Sequence, residues 1–219
     1  MDRHRIKRTL WTGVFAVGMI GLSGRVDARA ADLSEYNIPE GTKQLVLVQY
    51  KGRSRGRCRY YEKRKSGTWK KKWGCTAYMG RNGIHKTREG DGRTPSGRYA
   101  LGQAFGIKKN PGTKMPYVTV NEQHYWCGDS GSKYYNRLIR RDETGHSCRG
   151  EHLIKYGGAY HYSLFIEYNK EGRAGKGSAI FLHCSRGRAT AGCVAIPEKK
   201  MKRLLKRLRP DANPQIIIE

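Results

Sequence analysis

Two residues near the C-terminus have the types and setting for nucleophilic catalysis by cysteine. His183 lies in the apolar run Ala179–Cys184, and Cys193 follows ten residues later in Thr190-Ala191-Gly192-Cys193-Val194. The reactive form of cysteine is the thiolate, and an imidazole within hydrogen-bond reach can generate it. Gly192 lets backbone approach a ligand without a Cβ in the way. The amides of Gly192 and Cys193 are then candidate donors to an oxyanion. A disulfide between Cys184 and Cys193 is the competing use of the same residues. A second cluster, His146-x-Cys148-x3-His152, has a spacing that can hold zinc, but a disulfide at Cys148 is the preferred reading. The six cysteines allow 15 complete pairings. Proximity favours Cys58–Cys75 and Cys127–Cys148, each closing a loop worth about 3 kcal/mol.

The elements that must position these groups read as a mainly β domain with one helix. Gln44–Tyr50 is β-branched and apolar and predicts a strand. Residues 51–72 are dense in cations, with Ser66-Gly67 placed for a hairpin turn and Tyr60, Trp69 and Trp73 available for packing. Cations interleaved with aromatics can bind single-stranded nucleic acid, but a solvated outer sheet face is the preferred reading. Arg98–Phe105, Tyr117–Val120, Ser163–Tyr168, Ala179–Cys184 and Gln215–Ile218 are further short strand signals separated by turn residues. One helix is expected after Pro197. Met201, Leu204, Leu205 and Leu208 recur at helical spacing, cations fill the other face, and Pro210 stops it.

The chain has 219 residues and a net charge of +26. It is long enough for one domain with a core, and 37% hydrophobic residues exclude a fully disordered polycation. Arg3, Arg5, Lys7 and Arg8 precede an apolar stretch from Leu10 to Leu22, and Ala28-Arg29-Ala30 follows. That order predicts a secretory signal peptide over residues 1–30, or an uncleaved anchor. Residues 31–43 then form a polar lead-in, and 44–219 the domain. Residues 1–30 carry six basic and two acidic side chains, so +22 belongs to the remainder. Export argues against nucleic acid as the main partner and places the protein in an extracellular or periplasmic setting. Anionic wall polymers suit the charge, and a membrane is a partner only if the leader is retained.

Two ordered motifs now stand in view: Glu89-Gly-Asp-Gly-Arg-Thr-Pro-Ser-Gly97 leading into a strand, and His183 followed by Thr190-x-Gly-Cys-Val. Together with Tyr134-Tyr135-Asn136, Glu151-His152-Leu153 and Tyr168-Asn169, they resemble the L,D-transpeptidase catalytic domain family (YkuD-like) over roughly residues 43–219. Many members of that family have His where this chain has Ala191, and Arg or Asn where it has Ala195. The resemblance implies an L,D-transpeptidase-like β-sandwich or mixed sheet with the C-terminal amphipathic helix. It implies Cys193 as nucleophile, His183 as general base and a carbonyl near Cys184 or Ser185 orienting the imidazole. It also implies peptidoglycan stem tetrapeptides as donors, loss of D-Ala, 3–3 cross-links, reaction with carbapenems, and no metal or organic cofactor. His152, Thr190, Asp91 and Arg93 are the expected substrate contacts. Two other functions compete: a wall hydrolase of the L,D-carboxypeptidase kind, or a non-catalytic cationic wall binder.

Overall fold

The structure is a computed structural model and describes residues 31–145 and 148–219. The expected leader and His146 lie outside the described residues. The strand signals fold in chain order as β1 (Gln44–Tyr50), β2 (Arg55–Lys63), β3 (Trp69–Tyr78), β4 (Gly97–Gly106) and β5 (Tyr117–Thr119). There follow β6 (His124–Cys127), β7 (Leu138–Arg140), the single-turn α1 (Arg141–Thr144) and β8 (Gly150–His152). The chain continues with β9 (Ser163–Ile166), β10 (Phe181–Cys184), β11 (Val194–Ile196), α2 (Glu198–Leu205) and β12 (Gln215–Ile218).

Nine strands make one mixed sheet in the order β12-β1-β2-β3-β11-β10-β9-β4-β5. β12 also pairs with β4, so the expected mixed sheet closes on itself as a barrel and leaves β5 as an appended edge. Closure pairs strand edges that would otherwise be open to other chains. The hairpin turn sits where Ser66-Gly67 predicts it, with Gly67 at φ +83°. Along β2, Gly56, Cys58 and Tyr60 are buried while Arg55, Arg57 and Arg59 take the alternate, outward positions. The cationic segment is thus a solvated sheet face, as preferred.

α2 buries Met201, Leu204 and Leu205, and Leu208 just beyond it, in one cluster with Val46, Tyr60 and Ile216. The Arg207 guanidinium grips the Glu62 carboxylate through two bonds, of 2.7 and 2.8 Å, fastening the end of the helix to β2. The polar lead-in is anchored too: Leu33 packs with Leu45, Leu47 and Trp69, and Ala31 bridges to Trp69.

A second, three-stranded sheet, β7-β6-β8, covers one side of the barrel with the 3-10 segment Leu153–Tyr160. Its Trp126, Leu153 and Tyr160 pack with Phe105, Phe165 and Phe181 of the barrel. The Cys127–Cys148 disulfide ties β6 to the start of β8, which removes Cys148 from any zinc set. Among the described residues, no group of His, Cys, Asp and Glu is placed to hold a metal. Cys58 and Cys75 stand directly opposite on β2 and β3, as their expected bridge requires, but both thiols are free. No helix among the described residues is long and apolar enough to cross a membrane.

Candidate active site

β10 delivers the imidazole. Alternation along the strand turns Leu182 and Cys184 into the main barrel core, and Phe181 and His183 to the opposite face beneath the small sheet. β11, parallel to β10, begins one residue after Cys193 and so returns the thiol to the same face. His183 and Cys193 are both buried, and both line one cavity. The imidazole Nδ1 lies 3.0 Å from the Cys184 carbonyl. A carbonyl only accepts, so Nδ1 carries the proton and Nε2 is left as the basic nitrogen. Of the two carbonyls expected to orient the imidazole, that of Cys184 is the one at hydrogen-bond distance from Nδ1. The Ser185 amide donates to Ile196, and its hydroxyl receives the Gly187 amide.

The turn carrying Cys193 is built by threonines. The Cys193 carbonyl accepts from Thr190 Oγ1 at 2.7 Å and from Thr94 Oγ1 at 3.3 Å. Thr94 Oγ1 also receives the Gly80 amide. The Thr-Pro motif thus braces the turn that carries Cys193 from 99 residues away in the chain. Gly192 is required by close approach: a Cβ there would stand 3.0 Å from the Arg93 carbonyl oxygen and 3.2 Å from Ile180 Cδ1. The Gly192 amide is committed to Thr190 Oγ1 at 3.1 Å, which corrects its expected role as an oxyanion donor and leaves the Cys193 amide as the candidate. The Cys193 thiol donates to the Ala179 carbonyl at 3.2 Å and accepts from the Phe181 amide at 3.3 Å. Asn136 holds that segment in turn, its Oδ1 accepting from the Ala179 amide and from Trp126 Nε1.

Burial dominates the electrostatics. It pushes the His183 imidazole down to about 4, although the Cys184 and Ala159 carbonyls favour the protonated ring. Burial, aided by the nearby Glu151 carboxyl, pushes the Cys193 thiol well above the ordinary thiol range. At rest the pair is a neutral thiol and a neutral imidazole.

Two cavities meet at Cys193. One is walled by Trp126, Lys86, Arg149, Glu151 and Gly192. The other is walled by Tyr160, His183, Arg186, Arg188 and Glu151. Of the expected substrate contacts, the structure brings only Thr190 to a cavity, with its hydroxyl already used internally. Asp91 forms a buried ion pair with Lys86 at 2.9 Å and accepts the Thr87, Arg88 and Arg93 amides, so it closes its own loop. Arg93 donates to the Ile84 carbonyl. His152 stacks on Tyr125, with centroids 4.2 Å apart, and faces the Glu122 carbonyl. Its neighbour Glu151 is the residue that reaches the cavities, because successive strand positions point to opposite faces. Glu151 and Tyr160 are the site residues the sequence reading missed; the period-2 alternation across Gly150–His152 was the available signal.

The family model of the YkuD L,D-transpeptidase catalytic domain matches residues 43–218. The chain belongs to this family. Two solved structures of the helical cell shape determining protein Pgp2 from Campylobacter jejuni are also similar. One is 17% identical with a TM-score of 0.44, covering 81% of this chain and 47% of that one. The other, a K307A mutant, is 19% identical with a TM-score of 0.45, covering 85% and 52%. This chain therefore spans about half the length of those proteins. No curated protein matches it. The matched span runs from β1 to β12 and includes His183 and Cys193.

Proposed function

We propose that this protein is a peptidoglycan L,D-transpeptidase that works through a Cys193 thioester. The observation that carries the reading is that Cys193 and His183 open onto one cavity, with His183 oriented by the Cys184 carbonyl. The donor is a stem tetrapeptide. As the thiol sulfur attacks the carbonyl of its L,D bond, His183 Nε2 takes the thiol proton and then gives it to the departing D-Ala amine. The Cys193 amide stabilises the oxyanion. An amine of a neighbouring stem then attacks the thioester carbonyl, forming the 3–3 cross-link and regenerating the thiol. Starting from a neutral pair, the proton moves as the C–S bond forms, and a dry pocket lets the amine compete with water.

The test is to incubate the exported domain with muropeptide tetrapeptides and follow D-Ala and dimers by mass spectrometry. Released D-Ala with dimers, both lost in Cys193→Ala, is the expected result. D-Ala without dimers would make the protein a carboxypeptidase. Product undiminished in Cys193→Ala would overturn the reading.

A further inference from the structure

The transpeptidase reading leaves one carboxylate without a task. Glu151, on β8, lines both cavities where they meet at Cys193. It accepts a hydrogen bond from the Tyr160 hydroxyl, and the Tyr160 ring packs edge-on against His183, with centroids 5.5 Å apart. The cavity that contains His183 is the one where an incoming nucleophile can meet both the base and the thioester. Among the described residues lining it, Glu151 is the one acid, while Lys155, Arg186 and Arg188 are exposed cations. The wall thus offers a single anionic point near the thiol and cations toward solvent. That pattern complements an amine whose own residue also bears a carboxylate, such as the free end of a diamino acid.

We propose that Glu151 selects the acceptor in the second half-reaction, holding the attacking amine as an ammonium in the His183 cavity while the cations receive its carboxylate. This rests on the transpeptidase reading above. In the step itself the ammonium gives one proton to Glu151. The freed nitrogen bonds to the thioester carbonyl carbon, and the C–S bond breaks. The second nitrogen-bound proton passes through His183 to the departing Cys193 sulfur, and Glu151 returns its proton to water. The environment of the carboxyl suits this use. Desolvation, with Glu89 adding to it, pushes Glu151 up to about 7 against the Tyr160 bond. A carboxyl so raised takes a proton from a bound ammonium more readily than an ordinary one.

The experiment compares full-length wild type with Glu151→Gln, using a tetrapeptide donor and either a muropeptide acceptor or hydroxylamine, which is neutral at pH 7.5. The readout is the ratio of aminolysis to hydrolysis, which does not depend on how fast the thioester forms. The expected result is a fall of at least tenfold in the dimer-to-tripeptide ratio, with the hydroxamate-to-tripeptide ratio kept within about twofold. An unchanged dimer ratio, or both ratios falling together, overturns the assignment. Glu151→Asp draws the charge back by one methylene and is the second variant, with a several-fold fall expected for the muropeptide alone; an unchanged ratio there also overturns it. A wild type that releases no D-Ala overturns the transpeptidase reading instead.

Discussion

His183 and Glu151 share a cavity, and burial moves their proton affinities in opposite directions. For His183 the folded form holds the neutral ring down to about pH 4. An unfolded chain protonates near 6.5, so stability is lost as pH falls from 6.5 toward 4, by on the order of 1 kcal/mol per pH unit. His183→Asn is expected to lose less melting temperature than wild type across that interval, read by thermal unfolding at each pH. Glu151 has the opposite sign. Its folded carboxyl stays protonated up to about 7, so its contribution is present at low pH and lost as pH rises. The stability of Glu151→Gln relative to wild type is therefore expected to increase between pH 4.5 and 7. A flat difference would mean that the carboxyl is not desolvated. Gly192→Ala tests the close approach at the turn that carries Cys193: a methyl group 3.0 Å from the Arg93 carbonyl oxygen strains that turn, and loss of D-Ala release in a folded protein is expected.

Among the elements, the long strands and the helix were legible in the sequence and the small sheet was not. Gln44–Tyr50 and Gln215–Ile218 are apolar runs bounded by turn residues, and the Met201, Leu204, Leu205, Leu208 spacing has no other economical reading. The strands β6, β7 and β8 are three or four residues long and mix Gly, Glu, His and Arg among their side chains. Their stability comes from packing against Phe105, Phe165 and Phe181 and from the Cys127–Cys148 bridge, which is tertiary information. The alternation along β8 turns Glu151, and not His152, toward the cavities, and so short a strand gives no signal of its own. Thr94 was visible as a turn residue, but its bond to the Cys193 carbonyl crosses the whole domain. Thr94→Val removes that bond and orphans the Gly80 amide. It is expected to cost about 1–3 kcal/mol in denaturant unfolding and to lower D-Ala release. Cys58 and Cys75 face each other in register on β2 and β3, with both thiols free.

At the scale of the whole molecule, one cationic face lies apart from the Cys193 cavities. The +22 of residues 31–219 includes a groove on the outer face of β2 and β3 built from Lys51, Arg55, Arg57, Arg59 and Lys71, on strands that carry none of the cavity residues around Cys193. Such a face concentrates a cationic protein on polyanions in a salt-dependent way. Turnover of intact sacculi is expected to fall more steeply with added salt than turnover of soluble muropeptides, and equal slopes would show that the groove does not bind the wall. In the proposed mechanism one thiol, that of Cys193, carries the acyl group. The most direct test of this is the intact mass and peptide map of the protein after mixing with a carbapenem, whose acyl-enzyme is expected to persist. One adduct, mapped to Cys193 and absent from Cys193→Ala, is the predicted result. No adduct, or one on Cys184, Cys58 or Cys75 with Cys193 unmodified, would contradict it.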